Sequence, residues 1–135
     1  MRRVTAAVII EQGRLFLVRR PPSDRLAGFW ELPGGKIEGD ETPEACLKRE
    51  LLEELSMEGV VGDLAATCVH RYSHGEFELL AYAFERTSPY ELLIHDQAAW
   101  VDHVSIRDYK LAPADVFLVQ QLMFNRGWDP AKPVK

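Results

Sequence analysis

A glycine pair followed directly by an acidic helix is the feature that most limits what this chain can fold into. Residues 34–56 read GGKIEGDETPEACLKRELLEELS. Within this stretch Thr42 can serve as an N-cap, and Pro43 suits the first helical position. We therefore predict a helix from Pro43 to about Leu55, preceded by a tight glycine turn.

Three carboxylates share one face of this predicted helix. At about 100° per residue, Glu53 and Glu54 fall within about 60° of Glu50, while the leucines lie broadly on the other side. The last turn disfavours negative charge, and Arg49 precedes Glu53 in the weaker order for an i, i+4 ion pair. Two interpretations remain open: a solvated charged face, or a divalent cation site, whose oxygen ligands favour Mg²⁺, with Mn²⁺ as the second choice.

The glycine pair would let the backbone approach a bound ligand closely, because no side chain stands in the way. A simple turn after a strand would use the same residues. Lys36 follows the pair closely enough to contact an anion, so we expect Gly35 and Lys36 to bind phosphate. Hydrolysis at phosphorus suits such a site, because metal ions neutralise phosphate oxygens and lower the pKa of an attacking water, while a carboxylate can take its proton.

The spacing of residues across this stretch resembles the Nudix box. Gly35 is followed after five residues by Glu41, and after seven more by the run RELLEE at 49–54. The family pattern then has any residue, a glycine and an aliphatic residue. This chain departs from it at Ser56, which lies beyond the carboxylates, where the family glycine helps the chain to turn out of the helix.

The resemblance implies a fold and a set of roles. The fold would be α/β, a mixed β-sheet sandwiched between α-helices. The reaction would be Mg²⁺-dependent attack of water on phosphorus in a nucleoside diphosphate linked to another group. Glu53, Glu50 and Arg49 would be catalytic, and Arg49 with Glu41 would also hold the helix and loop in place. The implied metal ligands are the carbonyl oxygen of Gly34 and the carboxylates of Glu50, Glu53 and Glu54.

Residues 30–45, WELPGGKIEGDETPEA, are similar to the MutT and (d)CTP pyrophosphohydrolase branch of this family. Members of that branch convert nucleoside triphosphates to monophosphates and pyrophosphate, so the resemblance implies a nucleoside triphosphate substrate. It also implies that Arg20, the second arginine of the strand before the loop, contacts phosphate. A surface charge beside Arg19 is the competing interpretation.

Residues 110–118, KLAPADVFL, resemble the C-terminal stretch of bacterial CTP pyrophosphohydrolases. The resemblance implies that Asp115 and Leu111 contact the base. Enzymes for oxidised guanine have Asn where this chain has Asp115. An ionised Asp only accepts hydrogen bonds, which suits the amino group of cytosine. Asp115 could instead only cap the helix near Pro113. We expect cytosine nucleotides first, with 5-substituted and other modified pyrimidine nucleotides included, and 8-oxo-dGTP second.

One acid expected from the resemblance is missing. Members of the branch usually carry a Glu six residues before a tryptophan of a late strand, as a further metal ligand or base. Counting back from Trp100 gives Ile94. Asp96 is our candidate for the catalytic replacement, ahead of Glu91. His95 is a weaker candidate, because a lone loop histidine is more often structural.

Strand patterns surround the acidic helix. The predicted hairpins pair residues 4–10 with 15–19 and residues 65–72 with 77–85. Shorter strands are predicted at 30–33 and 98–103, with a loop at 87–97 between the second hairpin and the last strand. A second helix is predicted to open at Pro113 and to end at Gly127.

The chain of 135 residues is expected to form one domain, residues 1–135, with a loosely ordered tail from about 128. A net charge of −5 argues against duplex nucleic acid as a partner. Cys46 and Cys68 lack metal-type spacing and predict buried thiols in a reducing compartment. No apolar run approaches the roughly 20 residues of a membrane span. We expect a soluble cytoplasmic protein, either a monomer or a weak homodimer.

Two other functional classes stay open. A hydrolase of nucleotide sugars or ADP-ribose is one, although such relatives often dimerise through an added N-terminal region. A Nudix-fold module that binds a nucleotide or RNA without cleaving it is the other. The box carboxylates are all present and the net charge is negative, and both observations argue against the binding module.

Overall fold

The computed structural model describes residues 2–124 and residue 128. This part of the chain forms eight β-strands, two α-helices and a short 3₁₀ helix. In chain order the elements are β1 (Arg2–Val8), β2 (Ile10–Glu11), β3 (Arg14–Arg19), β4 (Trp30–Glu31), β5 (Gly34–Lys36), α1 (Pro43–Leu55), β6 (Gly59–Tyr72), β7 (Gly75–Arg86), β8 (Gln97–Val101), the 3₁₀ helix (Ser105–Asp108) and α2 (Pro113–Phe124).

The strands form two sheets. The first has the order β5-β1-β7-β6, in which β1 and β7 run parallel and the other neighbours run antiparallel. The second is antiparallel throughout, with β2, β4 and β8 all pairing with the central strand β3. The parallel pair makes the first sheet a mixed one.

Strand β3 shows how the helices cover these sheets. Leu15 and Leu17 pack in the core cluster that contains α2, whereas Phe16 and Val18 pack in the cluster that contains α1. All four side chains are fully buried, as expected for a central strand whose alternating faces are both covered. The predicted α/β arrangement of mixed sheet between helices is confirmed, and it is built from two sheets.

The predicted pairing of residues 4–10 with 15–19 is wrong. Strand β1 pairs with β5 and β7 in the first sheet, and only the short β2 pairs with β3. The turn lies where it was predicted, with left-handed φ angles of 53° at Gln12 and 75° at Gly13, as a tight hairpin turn requires. The apolar run is continuous in sequence, so the crossing between sheets at Ile9 leaves no local signal.

For the other elements, the structure agrees more closely with the predictions from sequence. Strands β6 and β7 form the second predicted hairpin, although β6 begins earlier, at Gly59. The strands predicted at 30–33 and 98–103 correspond to β4 and β8. Strand β5 occupies the glycine pair itself, where we predicted only a turn. The glycines therefore belong to the sheet, and this fixes them relative to α1.

Helix α1 begins and ends with the predicted geometry. Thr42 accepts a hydrogen bond at Oγ1 from the backbone N–H of Ala45, at 3.1 Å. At the other end Ser56 has a left-handed φ of 50°, and its N–H donates to the carbonyl of Leu52 at 3.0 Å. A serine therefore adopts the conformation that a glycine adopts most easily at this helix terminus.

The C-terminal part of the fold is anchored by Trp128. Its ring is buried, and its Nε1–H donates to the carbonyl of Gly13 at 2.8 Å. Trp128 belongs to the tail that the sequence predicts to be loosely ordered. The rest of that tail, together with the predicted helix end at Gly127, lies outside the described residues.

Cys46 is buried and Cys68 is half-buried, and both are free thiols. Within the described ranges, no helix has the length and apolar character needed to cross a membrane.

Candidate active site

The glycine pair forms a close junction between the first sheet and α1. A Cβ on Gly34 would lie 2.1 Å from the carbonyl oxygen of Thr5 on β1. A Cβ on Gly35 would lie 2.2 Å from Cδ of Glu50. Gly34 therefore requires glycine for space, because the clash is with backbone, whereas a side chain at Gly35 would displace the Glu50 carboxylate that lies directly against it. The predicted meeting of glycines and helix carboxylates is present.

Arg49 clamps the loop before the helix. Its guanidinium donates to both carboxylate oxygens of Glu41, with Nε–Oε2 at 2.6 Å and a second N–O distance of 2.9 Å, and it also donates to the carbonyl of Lys36 at 3.2 Å. Hydrogen bonding to Arg49 lowers the pKa of Glu41 to about 2, and the pKa of Arg49 is raised in turn. This bidentate geometry is the strong form of an Arg–carboxylate pair, and it fits the holding role expected for Arg49 and Glu41.

Arg49 also contacts two of the three candidate ligands. Its Nη1 lies 3.0 Å from Oε1 of Glu50 and 3.2 Å from Oε2 of Glu53. Within residues 2–124 and 128, no three His, Cys, Asp or Glu side chains already converge on one point at metal-binding distance. Glu53 is exposed and has to leave Arg49 before it can join Glu50 and Glu54 around a cation.

Glu54 gives the strongest sign that this face takes a cation. Its Oε1 is buried and has no hydrogen-bond partner among the described residues. Burial first, and then the charges of Glu50 and Glu31, raise the pKa of Glu54 to about 8. A buried carboxylate with an open oxygen beside another carboxylate is destabilised when ionised. A divalent cation would relieve both the burial and the repulsion, so the residues present fit a hard, oxygen-ligated metal ion.

A second cluster lies next to Glu54 and centres on Arg20. Its Nε donates to Oε1 of Glu31 at 3.0 Å, and its Nη1 donates to Oδ1 of Asp24 at 3.0 Å. The second oxygen of Glu31 lies 3.2 Å from Nε2 of His95. Arg20 is thus engaged by two carboxylates, and it lowers the pKa of both Glu54 and Asp115 against the other effects that raise them.

Asp115 contacts the backbone of the residue that follows Glu31. Its Oδ1 accepts a hydrogen bond from the backbone N–H of Leu32 at 2.9 Å. Burial, followed by the charge of Glu31, raises the pKa of Asp115 to about 7. Leu111 is half-buried and forms a parallel β-bridge with Trp30, which brings the start of α2 against β4. The carboxylate therefore joins α2 to the neighbouring strand, which is more than a local helix cap would do.

Glu31 acts on the acids of both helices. The charges of Glu50 and Glu31 raise the pKa of Glu54, and the charge of Glu31 also raises the pKa of Asp115. Glu31 therefore influences both a candidate metal ligand and the candidate base reader. The sequence analysis missed Glu31 because it treated WELP only as a strand. An acid three residues before Gly34 was the available signal.

Two predicted site residues have other contacts in the structure. Asp96 is exposed and forms a bidentate ion pair with Arg19, at 2.9 and 2.7 Å, which lowers its pKa. It is thus already committed to a cation and is poorly suited as a base. Lys36 is exposed at the end of β5, where its backbone pairs with Val4. Its phosphate contact and the Gly34 carbonyl ligand stay predictions.

Comparison with known proteins identifies the family of the chain. A profile of the NUDIX domain matches residues 5–121. The chain is 35% identical over 129 residues to the CTP pyrophosphohydrolase of Escherichia coli (strain K12), covering 95% of this chain and 96% of that protein. It is 27% identical over 132 residues to an 8-oxo-dGTP diphosphatase of Haemophilus influenzae, covering 89% and 90%.

Among solved structures, the solution structure of the E. coli ORF135 protein matches with a TM-score of 0.85 at 34% identity, covering 98% of this chain and 95% of that one. Fold and relatives together define a hydrolase that acts on phosphorus anhydride bonds. The chain belongs to the NUDIX domain family. Hydrolases of this family generally use divalent metal ions.

Proposed function

We propose that this protein is a Mg²⁺-dependent nucleoside triphosphate pyrophosphohydrolase that releases a nucleoside monophosphate and pyrophosphate, with cytosine nucleotides as its preferred substrates. The observation that carries the proposal is the Glu54 carboxylate, whose Oε1 is buried without a hydrogen-bond partner among the described residues. A second buried acid, Asp115, accepts from the N–H of Leu32, the residue next to Glu31. Glu54 suits a cation with its phosphates, and Asp115 suits an amino group. A nucleotide presents these two features at its two ends.

The residues of the α1 face divide the chemistry between them. Glu50, Glu53 and Glu54 would hold Mg²⁺, with Mn²⁺ as a substitute, and the ion would neutralise phosphate oxygens and lower the pKa of water. Glu53 is the proposed acceptor of the proton from the attacking water, because it is the most exposed of the three and Arg49 is its one partner among the described residues.

Arg20 is the proposed phosphate contact. Its Nη1 contacts Asp24, whose side chain is about one-third exposed, whereas its Nε and Nη2 contact the more buried Glu31. A phosphate oxygen can replace Asp24 at Nη1 while the Glu31 contact persists. Arginine suits this exchange because its guanidinium offers several donors in a fixed plane.

The preference for cytosine rests on Asp115 and on the likeness to the E. coli CTP pyrophosphohydrolase. The ionised Asp115 accepts from the 4-amino group of cytosine and repels the 4-oxo group of uracil. The second candidate is 8-oxo-dGTP, favoured by the likeness to the H. influenzae diphosphatase. We further propose that the chain acts in the cytoplasm on free nucleotides, since its net charge of −5 disfavours polyanionic partners.

The ratio of kcat/KM for dCTP to kcat/KM for dUTP tests the proposal. Wild type would be incubated with Mg²⁺ and dCTP, dUTP, 8-oxo-dGTP, dGTP or ADP-ribose, and monophosphate and pyrophosphate resolved by chromatography. We expect dCTP to exceed dUTP in kcat/KM by at least about tenfold, because a site built for one hydrogen-bonding edge rejects the analogue that lacks it. The ratio should rise from pH 6 to pH 8 as Asp115 ionises, and Asp115→Asn should collapse it. Fastest turnover of 8-oxo-dGTP would overturn the cytosine assignment.

A further inference from the structure

His95 is buried in a loop whose neighbouring side chains are exposed. Only 4% of its side chain is accessible, whereas Ile94 is 56% exposed and Asp96 is also exposed. The loop is tied to the end of α1, because the N–H of Leu93 donates to the carbonyl of Glu54 at 3.0 Å. The imidazole is therefore inserted beside the candidate metal face from a fixed direction.

The two ring nitrogens of His95 have different surroundings. Nε2 lies 3.2 Å from Oε2 of Glu31, while Nδ1 is buried and has no hydrogen-bond partner among the described residues. An ionised carboxylate only accepts hydrogen bonds, so Nε2 has to carry the proton. The ring thus has one polar contact in the described part of the chain, and that contact is Glu31.

Glu31 connects His95 to Arg20 through its two carboxylate oxygens. Its Oε2 faces His95, and its Oε1 lies 3.0 Å from both Nε and Nη2 of Arg20. With both oxygens occupied, the plane of the Glu31 carboxylate is fixed, and so is the direction of the guanidinium. Without His95, the carboxylate would be free to rotate about its terminal torsion, which is broad and roughly two-fold.

We propose that His95 is a positioning residue for substrate binding, which holds the Glu31 carboxylate and through it aims Arg20 at the phosphates. This inference rests on the proposed function, because it concerns the phosphate contact of the same site. His95 therefore affects substrate affinity through Arg20 and takes no proton from the attacking water.

Steady-state kinetics with dCTP separate this role from simple packing. The variants are His95→Leu, which removes the donor, and His95→Gln, whose amide can donate where Nε2 does. His74→Leu, an exposed histidine in the turn between β6 and β7, is the matched control. We expect His95→Leu to raise KM about tenfold with little change in kcat, since a hydrogen bond to a charged group is worth about that factor. His95→Gln and His74→Leu should retain a KM near that of wild type.

A double-mutant cycle with Glu31→Gln tests whether His95 acts through Glu31. We expect the double variant to be no worse than the worse single variant, because both changes break one chain of contacts. If the increase in KM of the double variant equals the product of the increases in the two single variants, the residues act independently and the proposal is overturned. A kcat that falls tenfold in His95→Leu at unchanged KM would also overturn it, because His95 would then act in the chemical step.

Nitrogen NMR of the imidazoles provides a test that needs neither activity nor a folded variant at His95. A proton on Nε2 of His95 in wild type, with a resonance that shifts in Glu31→Gln, supports the proposal. A proton on Nδ1 alone refutes it. If wild type hydrolyses no nucleotide, the proposed function fails, and the link between His95 and Glu31 is then judged by this spectrum alone.

Discussion

At the scale of single residues, the site combines groups that are tightly held with groups that are loosely held. Arg49 and Glu41 form a bidentate pair that fixes the loop, while Glu53 is exposed and contacts only Arg49 among the described residues. A loosely held residue such as Glu53 can be changed without damage to the fold. Substitutions at loosely held residues therefore test catalysis, whereas substitutions at tightly held residues also change stability.

Glu53→Gln is expected to lower kcat by at least about a hundredfold, the usual range for loss of a positioned acid or base. The melting temperature should stay within about 2 °C of wild type, because exposed substitutions usually change stability by less than about 0.5 kcal/mol. Glu58→Gln, an exposed acid just beyond α1, is the control and should keep full activity. Retained turnover in Glu53→Gln would remove this residue from the site.

Asp115 gives a prediction about pH. Burial raises its pKa from 3.8 to about 7, so the folded chain holds this proton more tightly than the unfolded chain does. Its contribution to stability is therefore lost as pH rises from 3.8 towards 7, at about 1.4 kcal/mol per unit, and stays lost above 7. Denaturant titrations at pH 5 and pH 9 should show a larger loss for wild type than for Asp115→Asn. Equal losses would show that Asp115 ionises at an ordinary pKa.

At the scale of elements, α1 is well specified at its start and strained at its end. Thr42 and Pro43 supply the expected cap and first position, whereas Ser56 holds a left-handed φ of 50°. That conformation costs a non-glycine residue about 1–2 kcal/mol. The end of the helix matters because Glu53 and Glu54 lie in its last turn and depend on where it stops.

Ser56→Gly is therefore expected to stabilise the protein by about 0.5–1 kcal/mol, after allowing for the greater freedom that glycine adds to the unfolded chain. Urea unfolding provides the measurement, with kcat expected to stay near the wild-type value. Ser73→Gly is the matched control, because Ser73 lies in a turn without a positive φ, and it should be neutral or destabilising. A lower free energy of unfolding in Ser56→Gly would contradict the inference that the left-handed backbone at Ser56 is strained.

At the scale of the whole molecule, local patterns predicted most elements but not their partners. The start of α1, the turn at Gln12 and Gly13 and the hairpin of β6 and β7 are signals carried by neighbouring residues, so they were readable. The crossing from β1 to β2, the pairing of β5 and the contact of Leu32 with Asp115 join distant residues. Side-chain partners are set by such tertiary contacts, which is why the ion pair of Asp96 with Arg19 could not be predicted from the sequence.

A cation at the α1 face should stabilise the entire fold. A ligand that binds only the folded state adds free energy of unfolding that grows with its concentration, about 2.7 kcal/mol at one hundred times Kd. The face otherwise carries Glu54 with a pKa raised to about 8. We expect Mg²⁺ to raise the melting temperature of wild type at pH 8 by several degrees relative to EDTA, and Glu58→Gln to behave in the same way.

Glu54→Gln should differ from wild type both in its melting temperature in EDTA and in its response to Mg²⁺. In EDTA at pH 8 it should melt at or above the wild-type temperature, because the buried carboxylate and its repulsion with Glu50 and Glu31 are gone. In Mg²⁺ it should gain little or nothing, because the buried oxygen that has no partner in the described structure is no longer a charged ligand. An equal gain from Mg²⁺ in both proteins would place the cation elsewhere. A variant that melts below wild type in EDTA would show that Glu54 stabilises the metal-free fold, and it would contradict the expected cost of burying this carboxylate.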